Sequence, residues 1–118
     1  EFTATPEQLD ELARQLLACG LPATAVVAAA DILAIGAMKG FYEAGRRVPD
    51  DISIVGFDDL EISQYLTPGL TTVRQQISLK GQKAVELLLK HIAQPDLTKQ
   101  EEILPLQLVE RGSVRRLG

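Results

Sequence analysis

The first pattern along the chain is an apolar stripe at helical spacing. Its members recur at intervals of three and four residues, namely Leu9, Leu12, Ala13, Leu16 and Leu17. Thr5 can cap this helix and Pro6 suits its first turn, whereas Gly20 and Pro22 would end it. The pattern therefore predicts an amphipathic helix between Thr5 and Gly20.

Two apolar runs follow, and neither alternates between apolar and polar residues. Residues 24–30 (TAVVAAA) and 52–57 (ISIVGF) therefore predict parallel strands that are covered on both faces. A helix over residues 32–44 would lie between them, capped by Asp31 and stopped by Gly45. A strand, a helix and a parallel strand form a β-α-β unit, which crosses over right-handedly.

The helix over residues 32–44 is apolar on nearly every side. Its large and small apolar residues are Ile32, Leu33, Ile35, Ala37, Met38, Phe41 and Tyr42. Only Lys39 and Glu43 are plainly polar, although a surface helix of a monomer normally keeps one wet face. We therefore expect this helix to be covered twice, once by the sheet and once by a second subunit.

The second half of the chain continues the alternation of strands and helices. After a loop over residues 60–70, the pattern predicts a short strand (71–73), a helix (78–92) and a last strand (103–109). Pro105 indicates that the last strand lies at a sheet edge or ends early. The predicted fold class is therefore α/β, with a mostly parallel sheet and flanking helices.

Composition and charge exclude several classes of function. The 118 residues suit one domain or part of one, and the net charge of -4 argues against direct contact with nucleic acid, which needs a basic face. We interpret the one tight basic cluster, Arg111, Arg115 and Arg116, as a solvated end. No apolar run approaches the roughly 18 residues that cross a membrane, and the sequence starts without a signal peptide.

Candidates for catalysis or metal binding are few. We interpret His91 as a solvated side chain and Cys19 as a small buried hydrophobe, and a single cysteine is compatible with the reducing cytoplasm without proving it. One histidine and one cysteine match no zinc-binding spacing, and neither a glycine-rich phosphate motif nor a nucleophile elbow is present. The sequence therefore predicts no catalytic residue, no metal and no cofactor, and a protein that is not an enzyme.

One acidic pair, Asp58–Asp59, stands out because it follows the predicted strand over residues 52–57. Open α/β sheets bind ligands at the carboxyl ends of their strands, where a carboxylate can accept hydrogen bonds from hydroxyl or N–H groups. The alternative is that Asp58 only stabilises the turn. As a catalytic pair the two are weak, because adjacent residues at a strand end point to different sides.

Several short motifs occur in a fixed order along the chain. They are Asp31 with Ala34-x-Gly36-Ala37, Gly45-x-x-Val48-Pro49-x-Asp51-Ile52-Ser53, Gly56-Phe57-Asp58-Asp59, Pro68-x-Leu70-Thr71-Thr72-Val73-x-Gln75 and Leu108-Val109-x-Arg111-Gly112-Ser113. No single motif is specific, but together their order and spacing closely resemble the lactose/galactose-repressor (LacI/GalR) family of bacterial transcription repressors. The resemblance covers nearly the whole chain, which reads as the last third of a family member.

The resemblance implies a fold like that of the type I periplasmic sugar-binding proteins, of which this chain would hold a part. In that fold two α/β subdomains close over a small effector of sugar or nucleoside type. Residues 1–72 and 100–115 would belong to the C-terminal subdomain, and residues of about 73–97 would cross into the N-terminal one. Operator DNA would be bound only through an N-terminal headpiece outside this sequence, by a cytoplasmic homodimer without a membrane partner.

The resemblance also implies roles for particular residues. Asp58 falls on the aspartate that contacts the effector, and Phe2 falls near the aromatic residue that stacks on it. Ala30 stands where many members carry an asparagine, a departure that would remove one polar contact with the effector. Ile35 and Tyr65 fall on the dimer surface, in agreement with the helix that is apolar on nearly every side.

A periplasmic sugar-binding protein of a transporter is the alternative function, because it shares the fold. The Val-Pro-Asp-Asp-Ile-Ser turn, the Thr-Thr-Val-Arg-Gln crossover and the apolar helix favour the repressor, since transport proteins usually act as monomers.

Overall fold

The structure, a computed structural model, describes residues 6–20 and 22–118, and its helices and strands alternate. In chain order the elements are α1 (Pro6–Ala18), β1 (Ala25–Val27), α2 (Asp31–Glu43), β2 (Ser53–Val55), a short 3-10 helix (Glu61–Gln64), β3 (Thr72–Arg74), α3 (Ile77–Ala93) and β4 (Gln107–Val109). The predicted α/β class and order of elements are confirmed. The proposed cap residue Thr5 lies outside the described residues.

The chain forms two compact units. The first comprises the described residues up to Arg74 together with Leu108–Gly118, and the second comprises Gln75–Gln107. The second unit contains α3 and the extended segment that leads to β4. In the first unit, α1 and α2 pack on each other.

A parallel arrangement of strands forms the centre of the first unit. β1 pairs with β2 in parallel, with Ala25 opposite Ser53 and Val27 opposite Val55. β3 approaches the other side of β2 through parallel bridges from Val55 to Thr71 and from Asp58 to Arg74. β2 is therefore the middle strand of the three, and its carboxyl end opens between the ends of β1 and β3.

The core of the first unit is aliphatic apart from one ring. Its buried apolar side chains come from both helices, from β2 and its flank, and from the segment before β3: Ala13, Ala34, Ala37, Phe41, Ile52, Ile54 and Leu70. Burial of large side chains such as Phe41 and Ile54 stabilises the fold by roughly 1.5–3 kcal/mol each. Only part of the apolar stripe predicted for α1 is buried in the first unit: Ala13 is fully buried and Leu17 packs against the core, whereas Leu12 is 45% exposed and Leu16 is 36% exposed.

A late residue, Ser113, joins β2 to the start of β3. Its hydroxyl donates a hydrogen bond to the Ile54 carbonyl oxygen (2.6 Å) and accepts one from the Thr71 N–H (2.8 Å). The Ile54 N–H in turn donates to the Ser113 carbonyl oxygen over 2.9 Å. Ser113 is fully buried, so that these bonds satisfy backbone groups that water cannot reach.

Three expectations from the sequence are wrong. The first strand is not covered on both faces, because Val26 packs on the core while Val27 points to the opposite face and is 80% exposed. Cys19 is exposed rather than buried, since it lies in the turn that ends α1. Asp31 does not cap α2, because Ala30 occupies the cap position and Asp31 is the first helical residue.

The close approach of Gly56 to Asp31 yields a test of the fold. A Cβ at Gly56 would overlap Asp31 Oδ1 and come within 3.0 Å of Leu70 Cδ2. We expect Gly56→Ala to lower the free energy of unfolding by roughly 2–3 kcal/mol, as overpacked cores do, when it is measured by urea denaturation. The matched control is Gly81→Ala in α3, where an added Cβ meets no atom within 4 Å. Equal stability of the two variants would contradict the packing described here.

Candidate functional site

The candidate site lies in the turn that follows β2. Asp58 and Asp59 both have positive φ angles, 112° and 53° respectively. Such angles are uncommon for residues other than glycine and cost free energy, so surrounding contacts must hold the backbone there. Strained backbone of this kind is concentrated at sites that bind ligands or carry out chemistry. The turn is therefore a defined structural feature rather than a loose connection.

Asp31 is the buried centre of the contacts around this turn. Its Oδ2 accepts hydrogen bonds from the Leu60 N–H (2.8 Å) and the Ser63 hydroxyl (2.6 Å), and its Oδ1 accepts one from the Thr72 hydroxyl. The Asp31 N–H also donates to the Phe57 carbonyl oxygen over 2.7 Å. The carboxylate is fully buried, and charge-assisted bonds of this type are the strong ones. We call Asp31, Leu60, Ser63 and Thr72 the Asp31 cluster.

Asp59 is held by two arginines. Its Oδ1 accepts a hydrogen bond from the Arg111 guanidinium over 2.7 Å, and its Oδ2 accepts one from Arg74 Nε over 2.6 Å. Burial by itself would raise the pKa of the Asp59 carboxyl, but the two guanidinium groups together hold that pKa below its usual value. Asp59 is therefore committed to ion pairs inside the protein.

Arg111 corrects another expectation from the sequence. Its side chain is only 18% exposed, and besides Asp59 it donates to the Leu70 carbonyl oxygen over 2.8 Å. The Arg111 N–H donates to the Thr71 hydroxyl over 2.9 Å. The tail cluster is thus not a solvated end at this position, because Arg111 fastens the segment after β4 to the start of β3.

The structure brings Ala30 and Asp58 to the same edge of the sheet. Ala30 precedes α2 and has extended backbone. The residue after it, Asp31, donates an N–H hydrogen bond to the carbonyl oxygen of Phe57, the residue before Asp58. Asp58 is partly buried, and its own N–H donates to the Val73 carbonyl oxygen over 2.9 Å. Phe2 lies outside the described residues.

The outer face of α2 borders an open apolar groove of about 410 Å³. Ile35 lines one side of it and Leu66, the residue after Tyr65, lines another. Tyr65 is 68% exposed and Tyr42 on α2 is 83% exposed. The described residues thus cover only one face of α2 and leave its outer apolar face open to solvent.

The sequence pointed to Asp58 but missed most of the groups that surround it. The local sequence around Asp31 fits a helix cap as well as it fits the buried hydrogen-bond acceptor that the structure shows. Thr72 lies in the Pro68–Gln75 motif and Arg111 in the Leu108–Ser113 motif, and these positions are the signal that the sequence offers for them. Among residues 6–20 and 22–118, no cluster of histidine, cysteine and acidic side chains could hold a metal ion. In the same residues no helix is long and apolar enough to span a bilayer.

Comparison with known proteins gives consistent matches over the chain. The model of the family described as periplasmic binding protein-like domain matches residues 1–114. A probable HTH-type transcriptional repressor, ExuR of Bacillus subtilis, is 46% identical over 104 residues, which cover 87% of this chain and 31% of that protein. The chain therefore spans about a third of the length of this curated relative.

Two solved structures share the fold. A LacI family transcriptional regulator from Enterococcus faecalis, solved with bound ribose, superposes with a TM-score of 0.85 and 34% identity, covering 100% of this chain and 43% of that one. The lac repressor dimer bound to operator and an anti-inducer has a TM-score of 0.81 and 38% identity, with 93% of this chain and 38% of that one covered.

The ion pairs of Asp59 predict a dependence of stability on pH. Because its pKa is lowered in the folded state, Asp59 contributes stability that is complete above its unfolded pKa of about 3.9 and is lost as pH falls through the lower folded pKa. We expect Asp59→Asn to lower the free energy of unfolding by about 2 kcal/mol at pH 7. The difference in this free energy between the variant and the unmodified protein should shrink below about pH 4.

Urea denaturation between pH 7 and pH 3 measures this difference. The matched control is Asp50→Asn, which breaks an exposed pair with Arg47 (3.8 Å) and should change stability by less than about 1 kcal/mol. A difference for Asp59→Asn that stays constant down to pH 3 would show that its charge is not involved.

Proposed function

The chain belongs to the periplasmic binding protein-like domain family, and on that premise we propose that it is the effector-binding and dimerisation portion of a bacterial transcription repressor. The known proteins reported above support this, since each is a transcription regulator or repressor, and they do not favour the transport alternative. The proposed protein acts in the cytoplasm, is not an enzyme, and binds operator DNA only through a headpiece outside this sequence.

The observation that carries the proposal is the position of Asp58. It stands in a strained turn at the carboxyl end of the middle strand, held by contacts on both sides. A carboxylate fixed at a strand end suits a ligand that is rich in hydroxyl groups, because it accepts hydrogen bonds from them. The related regulator with bound ribose supports an effector of sugar or nucleoside type. Ala30 would leave this effector with one polar contact fewer than an asparagine would give.

We also propose how the chain divides between the two subdomains of the repressor fold. Residues 1–72 and 100–115 belong to the C-terminal subdomain, and residues of about 73–97 cross into the N-terminal one. The separation of Gln75–Gln107 as a compact unit of its own supports the crossing, but this unit also contains residues 100–107, which the division assigns to the C-terminal subdomain.

The homodimer forms through the outer face of α2 and the neighbouring loop, with Ile35 and Tyr65 in the interface. The exposed apolar side chains of this face support the proposal, because contiguous apolar surface of this kind marks interaction sites. Ile32 is 54% exposed and Tyr42 is 83% exposed. The dimer of the related lac repressor is consistent with such an assembly.

The first functional test replaces the carboxylate of Asp58 in the full-length repressor that contains this chain. Asp58→Asn keeps the size of the side chain and the tolerance for positive φ, but it removes the charge. We expect effector affinity to fall about ten- to hundredfold, which corresponds to a lost charged hydrogen bond. Calorimetric titration measures the dissociation constant, with the exposed Asp96→Asn as the matched control. An unchanged dissociation constant would remove Asp58 from the effector site.

The second test places a charge on the dimer surface. In a two-fold dimer the same patch faces its own copy, so that an added carboxylate meets a second one. We expect Tyr65→Asp and Ile35→Asp to shift the full-length protein towards monomer at low micromolar concentration, as measured by light scattering. Tyr65 serves as the cleaner site, since Ile35 also packs on the core. Thr98→Asp, an equal charge in an exposed loop, should leave the dimer intact, and dimeric Tyr65→Asp would contradict the proposed surface.

A further inference from the structure

We propose that Asp31 is a positioning residue of the effector site, whose buried carboxylate holds Asp58 in the backbone conformation that meets the effector. This inference rests on the proposed function and adds a residue that does not itself contact the effector. Asp31 is fully buried, so any influence it has on binding must act through the groups it holds.

The backbone at Asp58 needs a restraint. Asp58 has a φ angle of 112°, which lies outside the small left-handed helical region that side chains tolerate best. A free chain would leave this conformation, because a sparsely populated backbone angle costs on the order of 1–3 kcal/mol. The turn persists only because contacts on either side over-determine it.

Asp31 supplies contacts on both sides of the turn. Its N–H donates to the carbonyl oxygen of Phe57, the residue before Asp58, and its Oδ2 accepts from the N–H of Leu60, the residue after Asp59. Asp31 thus forms a hydrogen bond at each end of the turn. This arrangement fixes the distance across the turn as well as its direction.

A third contact reaches the middle of the turn through Thr72. The Thr72 hydroxyl donates to Asp31 Oδ1 and at the same time accepts a hydrogen bond from the Asp59 N–H over 3.3 Å. Since its hydrogen is committed to the carboxylate, its oxygen lone pair faces the Asp59 N–H. The charge on Asp31 therefore orients the group that holds the second residue of the turn.

The partners of Asp31 require a carboxylate at this position. Leu60 offers an N–H group, which can only donate, and the hydroxyl of Thr72 must donate if it is to accept from Asp59. Both oxygens at position 31 must therefore accept, and an asparagine amide has only one oxygen. Asp31→Asn would lose or reverse one of these bonds while keeping the shape of the side chain.

The first arm of the test needs no effector. In the full-length repressor, hydrogen–deuterium exchange reports the opening of the backbone at residues 58–60. We expect Asp31→Asn and Thr72→Val to speed exchange there by about tenfold or more, as the loss of one hydrogen bond to a charged group implies. The matched control is Ser113→Ala, which removes a buried hydroxyl from the same unit but none of the contacts of the turn. Unchanged exchange in both variants, or equal acceleration in the control, would overturn the proposal.

The second arm is a double-mutant cycle read by titration with ribose, the sugar bound in the Enterococcus faecalis relative. Asp31→Asn should weaken binding about tenfold in the unmodified background but less than about twofold when Asp58 is already asparagine, because residues that act through one another are not additive. Additive losses would show that Asp31 affects binding independently of Asp58 and would overturn the proposal. Failure of the unmodified repressor to bind ribose would exclude ribose as the effector, whereas an Asp58→Asn variant that binds normally would count against the proposed effector site. In either case the exchange arm would still decide the role of Asp31.

Discussion

The fold of the first unit depends on a carboxylate that is removed from water. A buried charged oxygen is costly unless donors surround it, so the chain must deliver donors to Asp31 from several directions. The donors are a backbone N–H at Leu60 and two hydroxyls, Ser63 and Thr72. Gly56 stands close enough that a side chain there would displace the carboxylate. Donors from the loop and from β3 thus converge on this residue of α2, because its buried charge needs hydrogen bonds.

Three aspartates in this region are used in three different ways. Asp31 is surrounded by neutral donors and shapes the turn, whereas Asp59 forms ion pairs with two arginines and anchors it. Asp58, next to Asp59 in sequence, is the residue that we assign to the effector. The same carboxylate group serves each purpose because its neighbours differ, which a count of acidic residues does not reveal.

The sequence predicted local features better than contacts between distant residues. The order of elements followed from periodicity, and α2 was placed within one residue of its observed ends, because a helix is specified by its own residues. The role of Asp31 and the burial of Arg111 were missed because their partners lie up to 41 and 52 residues away, respectively, and periodicity does not encode such pairings. The exposure of Val27 was missed because an unbroken apolar run does not say whether a second layer covers it.

The bonds of Ser113 have a consequence for synthesis. Ribosomes synthesise a chain from its amino end, so Ser113 is added 42 residues after Thr71. The Ser113 hydroxyl accepts a hydrogen bond from the Thr71 N–H. Until Ser113 is added, the N–H groups of Ile54 and Thr71 lack the partners that they have in the folded unit, so this part of the strand backbone remains unpaired. Open strand edges are what aggregation and chaperones act upon. Folding of this unit is therefore completed only after Ser113 has been made, by a serine whose hydrogen bonds join strands synthesised well before it.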